Sequence, residues 1–284
     1  VQAVAVSADG EYIVAGSYDN KVYLFDKDSS TPLWSYSTGG DVVSVAISAD
    51  GEYIVAGSKD NKVYLFERSS STPLWNYETD GDVQVAISAD GEYITAGSWD
   101  TKVYLFEKDS STPLRSYSTG DEIRSVSISG NGEYIVAGTY YDKVYLFDKE
   151  SSTPLWSYTT GGEVLSVTIS SDGEYIVAGS RDDKVYLFDK ESSTPLWSYT
   201  TGNDVDSVTI SSDGEYIAAG SSDYKVYLFD KDSSTPLWSY TTGDYVPSVS
   251  ISADGEYIAA GSWDDKVYLF DKDSSTPLWS YTTG

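Results

Sequence analysis

The chain has 284 residues and contains neither Cys nor His, which excludes disulfides and thiolate metal sites and removes the usual general base. Its 45 acidic and 18 basic residues give a formal net charge of −27. Because a surface this acidic repels phosphate groups and anionic lipid, we expect no nucleic-acid partner and no membrane insertion. No apolar run approaches the ~18 residues that span a bilayer.

One segment, GEYIVAGSYDNKVYLFDKDSSTPLWSY at residues 10–36, returns six more times almost unchanged. Successive copies begin 40 or 41 residues apart, so the period is fixed. A period of this length is typical of architectures in which each repeat is one supersecondary unit. The copies open at Gly10, Gly51, Gly91, Gly132, Gly173, Gly214 and Gly255.

The second copy shows the elements of one repeat. Apolar and β-branched runs alternate with turn residues, of which Asp50–Gly51 and Asp60–Asn61 are tight-turn signals. Pro73 is excluded from a central ladder and belongs to the third connection. Turn residues interrupt the chain too often for an apolar period of 3.6 residues, so no helix is predicted. The predicted strands, named a to d, are Val42–Ser48, Glu52–Ser58, Lys62–Phe66 and Leu74–Tyr77.

Strands that are apolar on both faces must be covered on both, as in a closed stack of sheets. The sequence therefore predicts an all-β, seven-bladed β-propeller, with an open solenoid as the alternative. The chain begins in strand a (1–7) and ends in strand d (278–281), so each blade is contiguous and the ring closes without strand exchange. We predict one domain, 1–284, with blades at about 1–41, 42–82, 83–122, 123–163, 164–204, 205–245 and 246–284.

The piece SADGEYIVAGSxDxKVYLFD resembles WD40 repeats. The resemblance includes the aspartate of the b–c turn, present at Asp19, Asp60, Asp100, Asp182, Asp223 and Asp264. No Gly-His pair precedes strand a, and Phe25 and its equivalents replace the tryptophan of the WD pair. The hydrogen-bonded tetrad of WD40 blades therefore cannot form.

The piece VYLFDKDSSTPLWSYSTGG resembles the repeats of quinoprotein propellers of the PQQ type, in which a strand d tryptophan docks on the next blade. Arg115 breaks the tryptophan set, so the seam beside blade 3 is expected to be looser unless the arginine stem packs and its guanidinium finds a carboxylate. The combination of WD40-like and quinoprotein-like pieces in one repeat resembles archaeal and bacterial surface proteins, which implies a prokaryotic surface protein. The set comprises Trp34, Trp75, Trp156, Trp197, Trp238 and Trp279.

The quinoprotein resemblance implies an oxidoreductase, but such enzymes use eight blades, Ca²⁺ and atypical catalytic blades, whereas this chain repeats seven nearly identical units. Asp26, Asp28 and Ser30 have the spacing that opens a calcium loop, yet the glycine and distal glutamate are missing. We interpret this run as a turn whose side chains bind nearby backbone N–H groups. We expect no metal, no cofactor and no enzyme activity.

The positions that differ between copies carry the functional prediction. The a–b and c–d turns hardly change, whereas the b–c turns and d–a loops, on the opposite face, change radically. Blade 3 also lacks one residue near Gln84. The predicted binding residues on the variable face are Tyr18, Lys59, Trp99, Tyr140, Tyr141, Arg181, Tyr224, Trp263, Arg124, Asp206 and Tyr245.

Tryptophan, tyrosine and arginine are the side chains that recognition surfaces over-use. We therefore expect a non-enzymatic module that binds a protein, a peptide or a glycan on this face. The opposing interpretation is that these turns simply tolerate more change, and an alternative function is a rigid unit of a larger surface or secreted protein. The start without Met fits a mature, processed or excised piece of a longer protein best. We further expect an extracellular or cell-surface location, and either a monomeric ring or part of a larger polypeptide.

Overall fold

A computed structural model describes residues 1–151 and 153–283, which form seven four-stranded antiparallel sheets, each from consecutive strands. The seven-bladed β-propeller class and the contiguous blades are thereby confirmed. In sheets 1 to 3 the strands are β1 Ala3–Val6, β2 Tyr12–Gly16, β3 Lys21–Asp26, β4 Trp34–Ser37; β5 Val42–Ile47, β6 Tyr53–Ser58, β7 Lys62–Glu67, β8 Trp75–Glu78; β9 Val83–Ile87, β10 Tyr93–Ser98, β11 Lys102–Glu107 and β12 Arg115–Ser118.

The remaining four sheets follow the same order, strand a to strand d. The predicted strands of the second copy differ from the observed ones by only one residue at an end. In sheets 4 to 7 the strands are β13 Ile123–Ile128, β14 Tyr134–Thr139, β15 Lys143–Asp148, β16 Trp156–Thr159; β17 Val164–Ile169, β18 Tyr175–Ser180, β19 Lys184–Asp189, β20 Trp197–Thr200; β21 Val205–Ile210, β22 Tyr216–Ser221, β23 Lys225–Asp230, β24 Trp238–Thr241; β25 Ser248–Ile251, β26 Tyr257–Ser262, β27 Lys266–Asp271 and β28 Trp279–Thr282.

The chain groups into two compact units. The first comprises Val1–Ala137 and Phe147–Leu155, and the second Gly138–Leu146 and Trp156–Gly284. In both, strands b and c of the inner sheets are mostly buried, because neighbouring sheets pack face to face. Among the described residues there is no helix that could cross a membrane. The single domain over 1–284 stays a prediction.

The strand d tryptophans fix the seams between neighbouring sheets. The indole Nε1 of Trp34 donates to the carbonyl oxygen of Arg68 at 2.8 Å, and its ring lies 5.3 Å from that of Phe66. A buried ring with its one polar group satisfied contributes large apolar area and stiffness. The same bond recurs at Trp75, Trp156, Trp197 and Trp238.

Arg115 replaces the tryptophan in the seam beside sheet 3. Its Nε donates to the carbonyl oxygen of Lys149 at 3.0 Å, which is the bond that the indoles make elsewhere, and Nη2 lies 4.0 Å from the Glu150 carboxylate. Tyr117 is buried and stacks on Phe147 at 4.5 Å, so it fills part of the space left by the indole. The guanidinium therefore has a carboxylate nearby, as one part of the exception requires, and the looseness of this seam stays a prediction.

A β-bulge explains the residue that blade 3 lacks. In sheet 2, Val42 pairs with Ser58 and Ser44 with Gly57, so Val43 is the extra residue of a bulge, and Leu165 and Asp206 have the same place in their sheets. In sheet 3 the register is continuous through Gln84. The bulge residue is one of the variable positions, and bulges re-aim side chains beside functional sites.

The first and last sheets each leave one face exposed. Val4 and Val6 are exposed on β1. On β28, Trp279 is 50% exposed and Tyr281 is also exposed, although the equivalent tryptophans in other sheets are half-buried. Closure of the ring through these two faces stays a prediction.

Candidate functional site

The b–c turns and d–a loops lie at one end of each sheet, because consecutive strands run in opposite directions. We call this end of a sheet, with its bulge, the variable end, and the end with the a–b and c–d turns the constant end. The variable ends comprise b–c turns 17–20, 59–61, 99–101, 140–142, 181–183, 222–224 and 263–265, and d–a loops 38–41, 79–82, 119–122, 160–163, 201–204 and 242–247.

At the constant end, polar side chains bind their own backbone. The Asp50 carboxylate accepts the hydroxyl of Ser48 at 2.6 Å and the backbone N–H of Glu52 at 3.0 Å. In the calcium-like run, Asp26 Oδ1 accepts the N–H of Asp28 at 2.9 Å. Asp26 therefore binds the backbone of its own turn, as the turn interpretation of this run expects.

Beneath the variable end lies a clamp built on the b–c aspartate. The Asp60 carboxylate accepts the hydroxyl of Tyr64 at 2.6 Å, the N–H of Lys62 at 3.1 Å and, from the preceding d–a loop, the N–H of Gly39 at 2.6 Å. Burial, followed by the bond to Asp60, raises the pKa of Tyr64. The tyrosine bond recurs at Asp100, Asp182, Asp223 and Asp264.

The hydrogen bonds of this clamp tie the b–c turn to strand c and to the preceding d–a loop. The WD40 tetrad, which cannot form in this chain, is thus replaced by a different set of hydrogen bonds. Sequence reasoning identified the aspartate but missed the tyrosine of KVYLF as its partner. The signal was present, because Tyr64 follows Asp60 by four residues and the spacing repeats at Asp100 and Tyr104. Charge-assisted hydrogen bonds of this kind are strong, so the clamp holds the variable residues above it on a rigid base.

In the first unit, cations cover the exposed rings of the variable end. Lys59 Nζ lies 5.6 Å from the ring centroid of Tyr18 and 3.2 Å from the Asp41 carboxylate. The guanidinium carbon of Arg124 lies 5.2 Å from the ring of Trp99. Both distances are within the ~6 Å range of cation–π contacts. Four predicted binding residues are thereby brought together as two pairs.

In the second unit, Arg181 is neutralised by acids. Its guanidinium lies 2.7 Å from the buried Glu163 carboxylate and 3.6 Å from that of Asp204. Asp206, on its bulge, accepts the hydroxyl of Ser222 at 2.6 Å. Burial raises the pKa of Asp206 and of Asp204. This variable end is therefore polar, and keeping the Asp206 carboxylate ionised costs free energy because the residue is partly buried.

Tyr140 and Tyr141 form a ring pair at the variable end of sheet 4. Their centroids are 5.1 Å apart in an edge-to-face arrangement. Tyr141 occupies the place of the clamp aspartate in the other sheets and is 69% exposed. Sheet 4 therefore lacks the clamp carboxylate and has an exposed tyrosine ring in its place. The turn geometry does not require this tyrosine.

Tyr224, Tyr245 and Trp263 form a cluster that we call the aromatic cluster. The ring of Tyr245 lies 5.3 Å from that of Tyr224 and 5.2 Å from that of Trp263. Tyr224 and Trp263 are 41% and 63% exposed. Such rings, held by a rigid scaffold, are typical anchors of binding sites.

At the variable ends the structure thus brings most of the predicted residues into contact with another one within each unit, whereas Arg181 contacts Glu163 and Asp204, and Asp206 contacts Ser222. It does not test whether they bind anything. Among the described residues there is no group of three or more His, Cys, Asp or Glu side chains that could hold a metal.

Comparison with known proteins gives one family. The family described as IFT122 first beta-propeller matches residues 1–270, nearly the whole chain. No curated protein matches the chain. The match supports the WD40-like side of the sequence resemblance, whereas the quinoprotein-like side and the prokaryotic surface type stay predictions.

Proposed function

The chain belongs to the family described as IFT122 first beta-propeller, and on this premise we propose that it is a non-enzymatic module that binds a protein or peptide at its variable ends. WD40-like propellers are typically scaffolds for protein interactions, although a propeller fold alone does not fix a function.

The observation that carries the proposal is the location of the exposed large rings that vary between blades. Tyr18, Trp99, Tyr141, Tyr224 and Trp263 are all exposed, and all lie at variable ends. Drift alone would scatter such residues over exposed positions at both ends. Instead, the constant end repeats the same polar turns, in which an aspartate accepts a serine hydroxyl and a backbone N–H of the turn.

Two features favour a protein or peptide over a small molecule. The variable residues of the first unit alone form two separate groups, Tyr18 with Lys59 and Trp99 with Arg124, so they suit a ligand that makes several contacts. Rings and guanidiniums are the residues that dominate protein interfaces. A glycan would also stack on such rings, so the experiment includes it.

The test is affinity capture with wild type and with the double variant Trp99→Ala/Trp263→Ala, run beside a glycan array. The proposal expects a protein that wild type retains and the variant loses, with nearly the same melting temperature for both. The matched control changes two exposed constant-end residues, Asp109→Ala and Asp232→Ala, and should retain the protein. Retention by the double variant, or a hit confined to glycans, would contradict a protein-binding role.

A further inference from the structure

Three rings of the second unit lie together, joined through Tyr245, and the outer two, Tyr224 and Trp263, are exposed. Tyr245 contacts both Tyr224 and Trp263, with interplanar angles of 60° and 76°, so the rings enclose a corner instead of stacking flat. The backbone N–H of Tyr245 donates to Asp244 Oδ1 at 2.8 Å, which fixes the loop that carries the central ring. The face of an aromatic ring carries the negative part of its quadrupole, so the exposed ring faces of this cluster can attract a cation.

The backbone at Tyr224 indicates that its ring is retained for a reason other than the turn. Its φ is 73°, in the left-handed region that bulky side chains avoid. Five of the seven residues at this place are Asn or Asp, which tolerate the region, and the others are Thr101 and Tyr224. Strain of this kind is typical of functional positions.

Acidic residues surround the aromatic cluster. Asp244, Asp264 and Asp265 lie in the same turn and loop as its rings. Burial acts against ionisation of Asp264, but hydrogen bonds from Tyr268 and from the N–H of Gly243 outweigh it and lower its pKa, so its charge persists near neutral pH. The local field therefore favours a cation, as does the net charge of the chain, −27.

The chain itself shows what such a ring binds. Tyr18, Trp99 and Trp263 occupy the same place in their repeats. Lys59 lies over Tyr18 and Arg124 over Trp99, each cation coming from the sheet that follows in the chain. Across the described residues, no Lys or Arg lies over Tyr224, Tyr245 or Trp263, and Lys225 is placed over Tyr227 instead.

We propose that the aromatic cluster binds a lysine or arginine side chain of a protein partner, in the place that Lys59 and Arg124 take on the rings of the first unit. The inference rests on the proposed function and adds the chemistry of the ligand. The rings supply the cation–π contact, and the aspartates beside them supply the charge.

The experiment uses the full chain labelled with fluorotryptophan and observed by fluorine NMR, with Trp263→Phe and Trp99→Phe to assign the two resonances. The probe is N-acetyl-arginine methylamide, and the neutral control is the citrulline analogue of the same shape. The proposal expects the Trp263 resonance to shift saturably with arginine and at least about tenfold less with citrulline at equal concentration.

Two variants make the test specific. Tyr224→Asn should weaken the arginine response of Trp263 severalfold. Arg124→Gln should uncover Trp99 and give its resonance a new response to arginine that wild type lacks, which a general charge effect would not produce.

A Trp263 resonance that ignores arginine, or that responds equally to citrulline, would overturn the inference. The proposed function has a separate readout, because a protein lost by the Trp99→Ala/Trp263→Ala variant would stand even if the arginine response were absent. An arginine response without any captured protein would support the cation site and count against the wider binding role.

Discussion

The variable ends of the two units carry the same kinds of side chain but arrange them differently. In the first unit, Lys59 and Arg124 lie over Tyr18 and Trp99. In the second, Arg181 is taken up by Glu163 and Asp204, and three rings contact one another. In the first unit two variable rings lie under cations of the chain itself, whereas no cation of the described residues lies over Tyr224, Tyr245 or Trp263.

This difference indicates that exposed rings of the same type need not be equally free to bind a cation of a partner. A ring already in contact with a cation must lose that contact before it binds another, so its net gain is small. Below this upper layer the two units are alike, because Asp100 and Asp223 each hold a tyrosine hydroxyl in the same clamp. Function should therefore differ between the units while the scaffold does not.

The largest expected effect concerns the shared clamp. Asp223→Ala leaves the buried hydroxyl of Tyr227 and two N–H groups without their acceptor, and each unsatisfied group costs about 1–3 kcal/mol. We expect a loss of about 3 kcal/mol in the free energy of unfolding, measured by urea denaturation. Asp100→Ala in the first unit should lose a similar amount. If only one of the two substitutions lowered the free energy of unfolding, the clamps of the two units would not be equivalent.

The next effect separates the exposed tryptophans. Trp263→Ala should weaken binding of a captured partner by at least about tenfold, as for an interface anchor, while stability changes by about 0.5 kcal/mol or less. Trp99→Ala should weaken it less, because Arg124 already occupies that ring. Titration calorimetry measures both affinities. Equal losses would remove the distinction between covered and open rings.

A smaller effect comes from backbone strain. Tyr224→Asn places a residue that tolerates φ of 73° where a bulky ring stands, and should stabilise the fold by about 1 kcal/mol while weakening binding. The matched control is Thr101→Asn, at φ of 75°, which should stabilise similarly without changing affinity. Thermal melts and binding measurements on both variants check this. A destabilised Tyr224→Asn variant would show that the ring supports the turn.

The smallest effect is a pH dependence at the Asp206 bulge. Burial raises the pKa of Asp206 above its ordinary 3.8, so its contribution to stability is present below that value and lost as pH rises through the folded pKa. Asp206→Asn should therefore stabilise the fold near neutral pH, by at most about 0.5 kcal/mol because the site is partly solvated, and should be neutral in acid.

Asp50 gives the control of opposite sign. Burial acts against its ionisation, but the bonds from Ser48 and from the N–H of Glu52 outweigh it and lower its pKa. Its contribution is present above 3.8 and lost as pH falls through the folded value, so Asp50→Asn should destabilise near neutral pH. Thermal melts of both variants across pH test the pair, and the same sign for both would contradict this assignment.

The repeat predicted most of the fold because a fixed period and turn residues such as Asp50–Gly51 determine where strands begin and end. It also located the variable positions. It could not show that the residue missing near Gln84 is a bulge, since register depends on pairing between strands. Nor could it show that Arg115 takes over the indole bond, which depends on the path of a side chain to the carbonyl of Lys149.

Which variable side chains meet was also beyond the sequence. Trp99 and Arg124 are 25 positions apart and come together only because neighbouring sheets pack against each other. The clamp tyrosine was visible as a repeated spacing, but its role required the position of the Asp60 carboxylate. Contacts between sheets, unlike strands and turns, are not encoded in a local pattern.

The central claim, that recognition belongs to the variable ends, is tested most directly by comparing two block variants for affinity toward a captured partner. One changes the exposed rings to serine, and the other changes exposed c–d turn acids to serine, which also lowers the net negative charge. The rings are Tyr18, Trp99, Tyr140, Tyr141, Tyr224 and Trp263, and the acids are Asp28, Asp109, Glu150, Glu191, Asp232 and Asp273. The account predicts that the first variant loses the partner and the second retains it with little change. Retention by the first variant with loss by the second would contradict it.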